Sequence, residues 1–144
     1  PMQWDDSMNA GFSHAPKECL YIQQDPAKDR PTLKAQKQDP DSLYHEIQKL
    51  IQIRMAHPAL QSKGDITFVY AEENDYPLAY VRSSEEEKIL VVINPASRTV
   101  EFTYNGQIGE LIYQFGRGLS SDGKKITIQG QSAVFYVIPD VKKS

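Results

Sequence analysis

The chain has a single cysteine, a single tryptophan and no marked excess of either charge. Its 16 Lys and Arg against 19 Asp and Glu in 144 residues leave a formal net charge of -3. A lone Cys19 excludes a disulfide framework within the chain and suits a reducing compartment. The near balance of charge supplies no electrostatic attraction for nucleic acid or an anionic membrane, and neither partner is expected. Long apolar runs are missing too. Ile89-Leu90-Val91-Val92-Ile93 is the longest; it falls far short of the roughly 20 residues that span a bilayer and reads as a strand. His14, His45 and His57 are scattered, without a clustered Cys or carboxylate partner. No metal centre is expected, and no cofactor. No secretory leader is visible, but Pro1 is not where one would be sought; the expected location, cytoplasmic, rests on the lone cysteine.

What is present falls into three textures. Residues 1–38 are polar and turn-rich, with Pro16, Pro26 and Pro31 and no sustained apolar period. A stretch of that length without helix or strand is not an ordinary loop; it is functional, disordered or draped over something. Residues 40–57 read as one helix, with Asp39 as N-cap and Pro40 at the first helical position. Leu43, Ile47, Leu50, Ile51 and Arg54 fall on one face, and Pro58 stops the run. Residues 64–139 read as antiparallel β. The expected strands are 66–72, 77–83, 88–94, 98–105, 109–116, 124–129 and 132–138. Ile66/Phe68/Tyr70, Val100/Phe102/Tyr104 and Leu111/Tyr113/Phe115 alternate with the period of half-buried strands. Asn94-Pro95, Asn105-Gly106, Asp122-Gly123 and Gly130-Gln131 are turn signals, and the spacing suggests a sandwich. The end of the chain, Val141–Ser144, is expected to fray.

Few residues suggest chemistry. Asp5 and Asp6 are adjacent, so in an extended segment they point to opposite sides and cannot easily flank one bond; turn-forming or capping aspartates is the plainer reading. Gln3, Trp4 and Asp5 together offer a flat aromatic, an amide and a carboxylate, which is the equipment of a sugar site. Trp4 equally fits a buried anchor. Cys19 has no basic neighbours in sequence that would make it a reactive thiolate. Gly116-Arg117-Gly118 and Asp122-Gly123-Lys124 read as hairpin turns, since no strand-to-helix step follows them. Most aromatics of the β region occupy alternating positions and are expected in the core. Tyr76, beside a turn, and Tyr136, out of phase with Phe135, are the candidates for an exposed sugar platform.

Two quoted stretches carry a family resemblance. Pro1-Met2-Gln3-Trp4-Asp5-Asp6-Ser7-Met8-Asn9-Ala10-Gly11-Phe12-Ser13 closely resembles a segment near the end of the catalytic barrel in the α-amylase superfamily, glycoside hydrolase family 13. The likeness is strongest to its α-glucosidase, oligo-1,6-glucosidase and trehalose synthase branch. Asp39-Pro40-Asp41-Ser42-Leu43, Leu50-Ile51-Gln52-Ile53-Arg54 and His57-Pro58-Ala59-Leu60 match the last barrel helix, in the right order. The resemblance implies a mainly β fold class: a C-terminal antiparallel Greek-key β-sandwich, preceded by a long loop and one α-helix. It implies that residues 1–60 are the terminal loop and final helix of a (β/α)8 barrel too long to fit in this chain, and that 61–144 are the β domain.

For function, the resemblance implies retaining cleavage of α-glucosidic bonds in an α-glucan or oligosaccharide, through a covalent glycosyl intermediate. That chemistry uses two carboxyls about 5 Å apart. The family's catalytic motifs have no match here, so the catalytic residues would lie upstream of Pro1 and the isolated chain would be inactive. Gln3, Trp4 and Asp5 would shape the rim of the sugar pocket in the intact enzyme. Without the barrel, much of residues 1–38 would be mobile or differently packed. Ala15-Pro16-Lys17-Glu18-Cys19-Leu20-Tyr21 departs from the Trp-containing pattern of oligo-1,6-glucosidases and leaves the α-1,4 or α-1,6 linkage open. Two other readings remain: a non-catalytic carbohydrate-binding module, or a structural domain whose orphaned helix face folds back or forms a homo-oligomer.

Overall fold

The computed structural model describes residues 1–139, so the expected fraying of Val141–Ser144 lies outside the described residues. The chain divides into two compact units, Pro1–Gln52 and a second from Ile53 onward.

The first unit holds two single 3-10 turns, Met8–Gly11 and Lys17–Cys19, then helix α1 (Leu33–Gln38). Helix α2 (Leu43–Ala56) begins in this unit. Two helices therefore stand where the sequence suggested one. At six residues, α1 is too short to show a periodic stripe. It exists because its first-turn donors are all met. Leu33 N–H reaches the Gln3 carbonyl at 2.9 Å and Lys34 N–H the Trp4 carbonyl at 2.9 Å. Thr32 is the N-cap, its Oγ1 accepting from Ala35 N–H at 3.2 Å, and Gln36 N–H reaches the Thr32 carbonyl at 3.0 Å.

Asp39 is consequently not the N-cap of a helix over 40–57. It closes α1, with its own N–H on the Ala35 carbonyl. Its carboxylate then accepts from Asp41 N–H at 3.0 Å, making a turn in which Pro40 sits, and the helix starts at Leu43. The apolar stripe of α2 is left open to solvent: Leu43 is 65% exposed, and Ile47 and Ile51 are exposed with it.

The second unit is a two-sheet antiparallel β structure. Its strands are β1 (Asp65–Tyr70), β2 (Leu78–Ser83), β3 (Lys88–Asn94), β4 (Val100–Thr103), β5 (Leu111–Phe115), β6 (Leu119–Asp122), β7 (Lys125–Ile128) and β8 (Ser132–Ile138). One sheet runs β1-β2-β3-β8-β5 and the other β4-β7-β6. Eight strands replace the seven expected. The extra one, β6, is an edge strand with a single apolar residue, Leu119, so alternation could not reveal it.

The core lies between the sheets, where Ala79, Leu90, Val92 and Val134 meet Val100, Phe102, Ile126 and Ile128. The outer face of the larger sheet is apolar as well. Phe68, Tyr80, Val91, Phe135 and Tyr113 align in register across all five strands. Ala59 and Leu60, from the 3-10 turn Pro58–Leu60, pack on this side with Ile89 and Val91. A strand covered on both faces reads as a continuous apolar run, which is why 89–93 looks as it does.

Two of the expected alternations are broken by irregularities at the sheet edges. In β1 the register shifts between Phe68 and Tyr70. Phe68 therefore pairs with Tyr80 on the outer face, while Tyr70 pairs with Ala79 and turns inward against Phe102. In β5 a similar shift falls between Leu111 and Tyr113. Phe68 is 60% exposed and Phe115 is exposed too, so neither is the core residue that its phase suggested.

Polar side chains fix the connections of this unit. Arg82 donates to the carbonyls of Ala59 (3.1 Å), Gln61 (2.7 Å) and Gly64 (3.0 Å). Glu87 accepts from Ala59 N–H at 3.1 Å and faces His57 Nδ1 at 2.9 Å. Fully buried Asn94 donates to the Arg98 and Gln129 carbonyls at 2.8 and 3.0 Å and accepts from Ala96 N–H at 3.1 Å. A buried amide with all three bonds made ties the turn after β3 to the approach to β8.

Candidate functional site

Gln3, Trp4 and Asp5 are held as one piece. The backbone N–H groups of Trp4 and Asp5 both point at the Ala10 carbonyl, at 2.8 and 3.3 Å. On the other side, the carbonyls of Gln3 and Trp4 are taken by the first turn of α1. The chain can return on itself so tightly because Asn9, Ala10 and Gly11 are all left-handed, with φ of 54°, 54° and 71°. Asn9 is the tolerant residue here, its amide donating to the carbonyls of Ser13 (2.9 Å) and Ala15 (2.7 Å). Gly11 is required twice over. Its φ disfavours a side chain, and a Cβ there would sit 2.9 Å from the Asp5 carboxylate.

Within this loop Asp5 is a structural acceptor. Its Oδ1 takes the Ser7 hydroxyl and the Ser7 N–H, the latter at 2.8 Å. The hydroxyl bond, then the amide bond and, more weakly, the Lys34 charge hold its pKa below the ordinary 3.8. The turn-forming reading of Asp5 is thus realised in the structure. Trp4 is 46% exposed, which leaves part of the indole free for contact. The Gln3 side-chain oxygen is buried without a hydrogen-bond partner among the described residues, beside a cavity of ≈ 240 Å³ bordered by Pro1, Met2 and Thr32.

The two platform candidates differ. Tyr76 is 41% exposed. Its neighbour Asp75 accepts from the Tyr70 hydroxyl at 2.8 Å and from Arg98 at 3.3 Å. Those bonds, after the one from Tyr76 N–H, lower the Asp75 pKa; the Asp75 bond in turn raises that of Tyr70. Tyr136 is half-buried and borders a cleft. Cys19 is exposed. His57 lies just beyond α2, engaged with Glu87. Among the described residues, no His, Cys, Asp and Glu come together as a metal-binding group. No helix of the described residues is long and apolar enough to cross a membrane.

Comparison with known proteins divides the chain into two matched stretches. Residues 1–63 match the family described as alpha amylase, catalytic domain, and residues 66–116 match the maltogenic amylase C-terminal domain. The chain belongs to the α-amylase family. Among its curated relatives are the oligo-1,6-glucosidase of Parageobacillus thermoglucosidasius, 34% identical over 71% of this chain and 17% of the relative. The glucan 1,6-alpha-glucosidase of Streptococcus pneumoniae is 30% identical over 79% of this chain and 20% of the relative. The crystal structure of trehalulose synthase from Pseudomonas mesoacidophila superimposes on 96% of this chain and 25% of that one, with TM-score 0.81 and 29% identity. This α-amylase-family chain therefore spans only about a fifth of the curated relatives it matches.

Sequence reasoning missed the residues that shape the loop: Thr32, Asn9 and Gly11. A signal was available for each. Pro31-Thr32 before an Ala- and Lys-containing run is a helix start, and Asn-x-Gly is left-handed turn chemistry. Arg82 and Glu87 had no signal, because their partners lie in a turn 18 to 30 residues away in sequence.

Proposed function

We propose that this chain is the closing part of a longer glycoside hydrolase that acts on α-glucosidic bonds. In this reading residues 1–60 complete its (β/α)8 barrel and 61–144 form a stabilising β domain. The observation that carries it is the succession, in one chain, of a catalytic-domain match and a C-terminal-domain match, in that order. Physical support comes from the first unit. Its large apolar side chains face solvent, including Met2, Met8, Phe12, Tyr21, Leu43 and Ile47. Such a surface belongs against something, and the remainder of a barrel is a partner of the right chemistry. The orphaned Gln3 oxygen would find its donor there, and the free part of Trp4 would stack at the rim of the sugar site, with Gln3 and Asp5 beside it. The catalytic carboxylates would be supplied by the earlier barrel strands, and the substrate would be an α-glucan or oligosaccharide. In the chain alone, the open α2 face would drive self-association.

A chimera tests this. This chain replaces the corresponding final part of the oligo-1,6-glucosidase from Parageobacillus thermoglucosidasius, and hydrolysis of isomaltose and maltose is measured. The expected result is a folded chimera that hydrolyses an α-glucoside, with no turnover by the chain alone. Trp4→Ala in the chimera should raise KM. A chimera that folds but never turns over substrate, or turnover by the chain alone, defeats the reading.

A further inference from the structure

The β unit carries a cleft that the proposed role as a stabilising domain does not use. It opens between the segment after β4, the β6–β7 hairpin and the end of β8, and measures ≈ 530 Å³. Ligand sites commonly fall at ~300–1,000 Å³. Gln107, Ser121 and Tyr136 border it, with Ile108 and Leu119 resting on the inner core. At its edge Gly106 lies close on the Tyr104 ring, where an added Cβ would fall 2.3 Å from the hydroxyl.

The chemistry of the walls is selective. Among the described residues no charged side chain borders the cleft, so an anionic or cationic ligand would be desolvated there without a counter-charge from them. Neither the Gln107 amide nor the Tyr136 hydroxyl has a hydrogen-bond partner among the described residues. The Ser121 hydroxyl donates to the Gly123 carbonyl at 3.2 Å, which leaves its oxygen free to accept. An amide, a phenol, a hydroxyl acceptor and part of an aromatic ring beside apolar walls are the groups that recognise a neutral polyhydroxylated molecule. We infer that this cleft is a binding site for a short α-glucan, separate from Gln3, Trp4 and Asp5. The α-glucosidic configuration rests on the proposed function; the neutral hydroxylated character rests on the cleft alone.

The test is an NMR titration of the 144-residue chain with maltotriose, and with cellotriose as the β-linked control. Saturable amide shifts at millimolar maltotriose, centred on Gln107, Ser121 and Tyr136, are expected. Ser121→Trp, on an exposed edge-strand position, should abolish them while spectral dispersion is kept. Gln107→Ala, in the exposed loop, should weaken binding about fivefold, the loss of one neutral hydrogen bond. Absence of saturable shifts in a folded chain, or shifts confined to the neighbourhood of Trp4, overturns the site. Equal affinity for cellotriose overturns its assignment to α-glucans. An active chimera with no maltotriose shifts removes this site alone, whereas saturable shifts with an inactive chimera remove the enzyme reading and keep the site.

Discussion

The two units of this chain handle their apolar residues in opposite ways. In the β unit, Leu90, Val92, Ile126, Ile128 and Val134 are almost wholly removed from water, and a second apolar layer lies on the outer face of the larger sheet. In the first unit only Ala10 and Leu20 are buried apolar residues, while Tyr21 is 100% exposed and the stripe of α2 is open. What orders the first unit is backbone hydrogen bonding around Ala10 and the start of α1. Net hydrogen-bond gains of about 1 kcal/mol each do not substitute for a core when each ordered residue costs about as much in entropy. One unit is organised around an apolar core; the other is held mainly by hydrogen bonds.

That contrast can be broken experimentally. Trp4 is the only tryptophan and reports the first unit, whereas far-UV circular dichroism of the strands reports the second. The two signals should give separate urea transitions, Trp4 first; a single coincident transition would mean that the units share one stability. Leu90→Ala, fully buried between the sheets, should cost about 3 kcal/mol and lower the β midpoint by roughly 15 °C, leaving the Trp4 transition where it was. Gly11→Ala combines a left-handed φ with contact on the Asp5 carboxylate and should cost about 1–2 kcal/mol, read only in Trp4 fluorescence. Thr32→Ala removes the N-cap of α1 and should cost about 1 kcal/mol in the same signal.

The smallest effect is electrostatic. Because folding lowers the Asp5 pKa below 3.8, its contribution is complete above that pH and is lost as pH falls through the lower folded value. An acid titration should therefore show Trp4 fluorescence changing below pH 3.8, with Asp5→Asn flattening that limb.

The sequence spoke clearly where burial was one-sided or complete. Val100, Phe102 and Tyr104 alternate and are buried as expected, and the run 89–93 is the central strand of its sheet. It was silent where geometry comes from few residues. β6 has one apolar side chain, α1 has one turn and a half, and the shifts in β1 and β5 leave no compositional mark. Asp39 shows the other kind of failure: an Asp before a Pro has the chemistry of a cap, yet a helix already ending there claimed it. The loop at Gln3, Trp4 and Asp5 was legible through its unusual residues, but the pairing of that loop with residues 32–34 joins positions some 30 apart, which local pattern cannot express.

That pairing has a consequence for how such a chain can change. Gln3 and Trp4 are stitched to Leu33 and Lys34, so the stretch from Pro16 to Arg30 is a closed bight, tethered at both ends to one small clasp and once in the middle, where the Gln24 amide donates to the Asn9 carbonyl. Lengthening a flexible bight costs only about 0.6 kcal/mol per doubling. Residues gained or exchanged on either side of Gln24 leave the Leu33–Gln3 and Lys34–Trp4 bonds untouched, so the indole of Trp4 keeps its position while the bight varies.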